Sequence, residues 1–208
     1  LAIDCEEGAF DNAHRVLPRT RYDTQIDAEN PRPDDRTFEK LFVGLYLGEM
    51  FTLVLVDLVD YGLIKGQSTV KLRKSYMIHT GFLSDIGDDE STQFEKSRNL
   101  FIYVLSHEPT NVENFHRVAE LIAARAARLC ACGVTAIRTQ ENISKANVAA
   151  DGSVVNKLPK FREQWAKASG EILDWESKEA AGGPIKITNV ESGSGAGCAI
   201  IAAMELER

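Results

Sequence analysis

The stretch from Pro184 onward constrains the fold most. Pro184-Ile-Lys-Ile-Thr-Asn-Val190 has the β-branched content of a strand, Glu191-Ser-Gly-Ser-Gly-Ala-Gly197 reads as a tight loop, and Cys198 to Leu206 as an apolar helix. A strand that feeds a helix through a glycine loop commits the chain to an α/β architecture. Such a turn can also read phosphate, because glycine admits a ligand close to the backbone and a helix N-terminus offers unpaired N–H donors. Close packing of the turn alone would equally explain Gly193, Gly195 and Gly197.

Nothing in a length of 208 residues demands a second domain. A hydrophobic fraction of 44% and a charged fraction of 26% exclude disordered and fibrous classes. The net charge of −7 argues against nucleic acid or an anionic membrane as partner, so a small ligand is expected. Cys130-x-Cys132 lacks the spacing and the histidines of a zinc site, and both thiols are expected in the core, in a reducing compartment. The longest apolar stretch, Met50 to Leu58, contains Asp57 and is too short for a membrane span. Leu1-Ala-Ile-Asp-Cys-Glu6 reads as mid-strand with Asp4 and Glu6 on one face, so the chain is expected to start inside a fold.

Residues 15–37 hold Pro18, Pro31 and Pro33 and read as a surface connection with one helical turn near Tyr22 to Ile26. A long, largely buried helix is predicted from Thr37 to about Leu63, with Thr37 as N-cap. Residues 64–110 are mixed, and the acidic run Asp85 to Ser91 reads as a solvated loop. From Asn111 to Gln140 a second long helix is predicted, with Val118, Ile122, Leu129 and Ala136 on one stripe and Arg125 in its middle. A guanidinium there must be paired or reach a polar cavity: phosphate contact, a structural salt bridge, or a head reaching solvent would each serve. Asn147 to Ser153 reads as a small-residue strand and turn, where Asp151-Gly152-Ser153 permits close backbone approach and Ser153 offers a hydroxyl; simple capping is the other reading. A polar helix follows from about Pro159 to Leu173. His14, His79, His107 and His116 have no spacing that suggests a metal or a triad.

Taken together these stretches resemble the C-terminal half of a fungal-type hexokinase, a sugar kinase of the actin-like ATPase superfamily. The resemblance rests on Glu6 with Gly8-Ala-Phe-Asp-Asn12, Val16-Leu-Pro-Arg-Thr20, Pro31-Arg-Pro33, Phe38-Glu-Lys40, Gly44-Leu-Tyr-Leu-Gly-Glu49, Ala124-Arg-Ala-Ala-Arg-Leu129, Ala149-Ala-Asp-Gly-Ser-Val154 and Gly193-Ser-Gly-Ala-Gly197, in order along the whole chain. It implies a ribonuclease H-like, actin-like α/β fold with a mixed sheet and many helices, here as an incomplete hexokinase large domain over residues 1–208. It further implies ATP-dependent phosphorylation of a glucose-like hexose at the 6-hydroxyl, the first step of glycolysis, with Mg²⁺ carried on ATP, in the cytoplasm. By that resemblance Glu6 and Glu39 bind the sugar, and Gly44, Arg125, Gly152, Ser153, Gly193 and Ser194 contact the nucleotide. Carboxylates suit a polyol, since they accept strong hydrogen bonds from neighbouring hydroxyls. A first-turn helix acid is the plain alternative for Glu39.

The family's catalytic aspartate, its sugar-clamping Thr-Lys stretch and its first phosphate loop match nothing here and are expected upstream of Leu1, so these residues alone are not expected to phosphorylate sugar. Three departures cluster on the sugar side: Asp4 where Asn is usual, Glu7 where an aromatic is usual, and Asp34-Asp35-Arg36 in place of Gly-Gln-Gln. They keep a second reading open, a hexokinase-like regulatory protein with little kinase activity. A dehydrogenase-type dinucleotide site fails on spacing, because no βαβ unit can follow Gly197.

Overall fold

The computed structural model describes residues 7–65, 68–105, 112–175 and 185–189, with positions 193, 195, 199–200 and 202–203 beyond them. Along the chain come α1 (Arg21–Glu29), α2 (Thr37–Phe42), α3 (Gly44–Asp60), α4 (Thr80–Gly87), α5 (Glu95–Leu105), α6 (Val112–Gln140), β1 (Ala146–Ala150), α7 (Ser153–Lys157), α8 (Phe161–Leu173) and β2 (Ile185–Asn189). The strand and helix expectations at 111–140, 147–150, 159–173 and 184–190 are met within a few residues.

The 29-residue α6 is the pillar of the molecule. Its buried face carries Phe115, Ala119, Ile122, Ala126, Ala127, Leu129 and Ala131, and α8, α3, α4, α2 and α5 pack around it. Small alanines let neighbouring helices approach, and the larger rings fill the volume left between them. Phe101 stands at the centre, with ring centroids 4.7 Å from Phe115, 5.9 Å from Phe82 and 6.1 Å from Phe51. Ala136, placed on the apolar stripe by periodicity, is exposed.

β1 and β2 pair in parallel, Ala146 opposite Ile185 and Ala150 opposite Asn189. Parallel strands need a crossover, and α7 and α8 supply it. Where a mixed sheet was expected, the described residues form this parallel pair.

Four other expectations change. The helix from Thr37 breaks at Val43, whose φ of −78° and ψ of 145° are extended, so α2 and α3 meet there at an angle. The β-branched Val43 and the poor helix former Gly44 yield locally where an apolar run would otherwise continue. Thr37 is not the N-cap residue: Arg36 occupies that position in a left-handed conformation and makes no side-chain capping bond, while the Thr37 hydroxyl donates to Phe10 O and its amide to Asn12 Oδ1. The Pro-rich connection contains a nine-residue helix because Thr20 and Asp23 form a reciprocal capping box. Within the acidic run, Asp89 is 3% exposed and accepts hydrogen bonds from Ser91 and from the Ser97 amide at the start of α5. Burial opposes its charge, yet these donors win and hold its carboxyl down to about 2.

Candidate functional site

Residues 76–80 form a strap across α3, and the motif Gly44-x-x-x-Gly48-Glu49 holds it. The Glu49 carboxylate accepts from the Tyr76 amide. A Cβ on Gly48 would lie well inside van der Waals contact distance of the Ile78 carbonyl oxygen, so only glycine lets the strap lie this close. The Thr80 hydroxyl donates to the Gly44 carbonyl. Strap, α3 start and the β1–α7 turn enclose a cleft of about 670 Å³, within the range typical of small-molecule sites.

Gly44, Gly152 and Ser153 all line this cleft. Its walls include Ile78, Val154, Val155 and Phe161, and Asp151, Ser153 and Thr80 supply polar groups. Gly152 has φ of 128° and open space around its α-carbon, a conformation that side chains resist and that leaves its backbone bare to the cleft. Gly193 is drawn toward the same turn, its amide donating to Asp151 Oδ2 at 3.1 Å. Gly193 and Gly195 have helical backbone, and most of the helix expected from Cys198 to Leu206 lies outside the described residues. Ser194 lies outside the described residues.

Arg125 does not line the cleft. Its guanidinium pairs with buried Asp23 at 2.9 Å and donates to the Leu41 carbonyl at 3.3 Å, tying α6 to α1 and to the end of α2. Of the readings open for it, the structural salt bridge is the contact present. Cys130 borders the cleft, and burial pushes its thiol up to about 12, so it is no nucleophile at neutral pH. Cys132 is exposed, against the expectation of a core thiol.

Glu39 stands on the first turn of α2, before the Val43 break. The segment Gly8 to Asn12 is stitched to this helix: the Glu39 amide donates to Gly8 O at 3.2 Å, and Phe10 meets Phe38 edge to face at 5.9 Å. Gly8 sits so close that an added Cβ would lie 2.8 Å from Glu39 Oε2. Arg36 Nη1 donates to that same oxygen at 2.7 Å. Glu6 and Asp4 lie outside the described residues. Glu7 turns its carboxyl against Gly133 of α6, and burial pushes it up to about 7.

Beneath α2 lies an ionic network. Lys40 Nζ reaches Asp27 Oδ1 at 2.6 Å, with both side chains nearly buried, and Arg19 holds Asp27 Oδ2 at 3.0 Å. His14 Nε2 bonds Asp34 Oδ1 at 2.6 Å. His14, Asp27 and Asp34 are close enough to suggest a cation site, yet the Lys40 ammonium and the Arg19 guanidinium already neutralise Asp27.

The sequence reading missed the strap. Tyr76, Ile78, His79 and Thr80 come from a stretch with no motif, and the available signal was His79-Thr-Gly81 ahead of the apolar Phe82-Leu83, a helix start.

A hexokinase from Schistosoma mansoni complexed with glucose superposes with a TM-score of 0.77 at 27% identity, over 89% of this chain and 41% of that one. The fold is the actin-like ATPase fold of the sugar kinases, in a helix-rich portion. The family described as hexokinase matches residues 1–204. The hexokinase of Kluyveromyces lactis is 45% identical over 100% of this chain and 44% of that protein, and hexokinase-2 of Saccharomyces cerevisiae is 43% identical over 100% and 43%. The chain belongs to the hexokinase family, and spans less than half the length of these relatives. No described helix is long and apolar enough to cross a membrane.

Proposed function

We propose that this chain forms the nucleotide cleft and one wall of the sugar site of an ATP-dependent hexokinase, which moves the terminal phosphoryl group of ATP to the 6-hydroxyl of a glucose-like hexose. The observation that carries the reading is the convergence of Gly44, Gly152 and Ser153 on one cleft, with Glu39 on the helix that ends two residues before Gly44. Apolar walls suit a purine, and the bare backbone of Gly152 with the Ser153 hydroxyl suits the polar remainder of the nucleotide. In this proposal Gly193 and Ser194 also contact the nucleotide, and Arg125 serves the site indirectly by fixing Leu41, the neighbour of cleft-lining Phe42. Mg²⁺, carried on the ATP phosphates, neutralises their charge.

Glu39 and Glu6 accept hydrogen bonds from sugar hydroxyls in this proposal. The general base is not assigned among these 208 residues. Catalysis of this kind is positioning and charge stabilisation, so both walls must hold their ligands at once.

The test uses the complete polypeptide. Glu39→Ala should weaken glucose binding, followed by intrinsic fluorescence, by roughly ten- to hundredfold, as for loss of a charge-assisted hydrogen bond. Ser153→Ala should weaken binding of a fluorescent ATP analogue several-fold while glucose binding stays unchanged. Unaltered glucose affinity in Glu39→Ala would overturn the sugar assignment.

A further inference from the structure

Arg36 stands in the segment where Asp34-Asp35-Arg36 replaces the uncharged triplet usual in fungal hexokinases. Its backbone has φ of 50° and ψ of 45°, left-handed and uncommon for a residue with a side chain, and Asp34 is left-handed too at φ 58°. That conformation places Arg36 at the mouth of α2, three residues before Glu39. Its guanidinium meets Glu39 Oε2 at 2.7 Å, with side-chain exposures of 60% and 28%. The same oxygen faces Gly8. Glu39 Oε2 is therefore covered on one side by backbone and on the other by a positive charge.

We infer that Arg36 is a specificity-determining residue of the sugar site, an internal competitor that a neutral hexose must displace from Glu39. The inference rests on the reading of Glu39 as a sugar-binding carboxylate. A hydroxyl that approaches Oε2 meets the guanidinium first. The pair is exposed on its arginine side, and such pairs are weak, so it yields to a ligand and does not block the site outright. The competitor is ionic and the ligand is neutral, which gives the arrangement a signature: added salt screens the Arg36–Glu39 attraction and leaves a sugar hydrogen bond nearly untouched.

The complete polypeptide is titrated with glucose by calorimetry, as wild type, Arg36→Gln, Arg36→Lys and Glu39→Ala, between low and moderate ionic strength. Arg36→Gln should tighten glucose binding roughly two- to fivefold at low salt, the range expected for an exposed ion pair. Wild-type affinity should rise with salt while Arg36→Gln stays flat, and Arg36→Lys should follow the wild type. If Glu39→Ala abolishes binding while Arg36→Gln is unchanged or weaker and the salt slopes coincide, the competitor role is overturned and the sugar site stands. If Glu39→Ala binds like wild type, the sugar reading itself has failed, and the role of Arg36 with it.

Discussion

Around Glu39 the chain answers its charges internally: Arg36 on Glu39, Lys40 and Arg19 on Asp27, His14 on Asp34. Around Gly44 and Gly152 it leaves a cleft of apolar walls, and among the described residues Asp151 is the one carboxylate that lines it. Under the proposed function the contrast follows from what each place would hold. A polyol offers hydroxyls, so its receptor needs charged acceptors, and those must be kept in partnership until the ligand arrives. A flat base needs shape, which small residues and aliphatic walls provide without charges to neutralise. Of the family departures, Asp34-Asp35-Arg36 falls on the ionic side, where an exchange of partners is tolerated, while the cleft motifs are retained.

The sharpest test of the steric side is Gly48→Ala. A methyl group there collides with backbone, so either α3 or the strap must move, and stability should fall by about 3 kcal/mol in chemical denaturation. A loss below about 0.5 kcal/mol would show that the strap gives way easily and that the two regions differ less than described.

On the ionic side, Lys40→Met strips one cation from Asp27 in nearly dry surroundings. Arg19 and the Asp34 amide still bond that carboxylate, so the cost should be about 2 kcal/mol, under the 3–5 kcal/mol typical of a buried charge left alone. Thermal melts against added salt check it: a partly dry pair should keep most of its effect as ionic strength rises.

The smallest effect concerns Glu7, between the two regions. Burial raises its carboxyl from 4.5 to about 7, so the folded chain binds more protons than the unfolded one between those values. Stability from this group is intact below pH 4.5 and is lost as pH rises through 7. Glu7→Gln should therefore match wild type near pH 4.5 and exceed it at pH 8 by about 1 kcal/mol, allowing for the solvent on one side of the group. A difference independent of pH would mean that Glu7 is not desolvated against Gly133.

Periodicity and turn chemistry made α6, β1, β2 and the Asp151-Gly152-Ser153 turn legible in the sequence, because each is decided by residues adjacent in the chain. Val43 was not legible, since an apolar run conceals a break whose value depends on how α2 packs on Gly8 to Asn12. Asp89 was misread for a related reason. Acidity predicts solvation on average, but the amide and hydroxyl of Ser91 and the Ser97 amide at the start of α5 can hold one carboxylate inside. Arg125 was singled out correctly as an anomaly on a buried stripe, yet only the fold discloses that Asp23, from a helix expected to be barely a turn, is its partner. The spacing of Arg36 and Glu39 is that of helix neighbours, but the left-handed residue that aims one at the other leaves no mark in composition.

Val43 has a mechanical meaning. On an unbroken helix Glu39 and Gly44 would point roughly 140° apart around one axis, fixed for good. One pair of extended torsions instead makes Val43 a mitre joint between two beams, one carrying the carboxylate and the other the edge of the cleft. The angle at that joint sets the span between the walls, so a substitution that drove Val43 into helical torsions would misalign both without touching either.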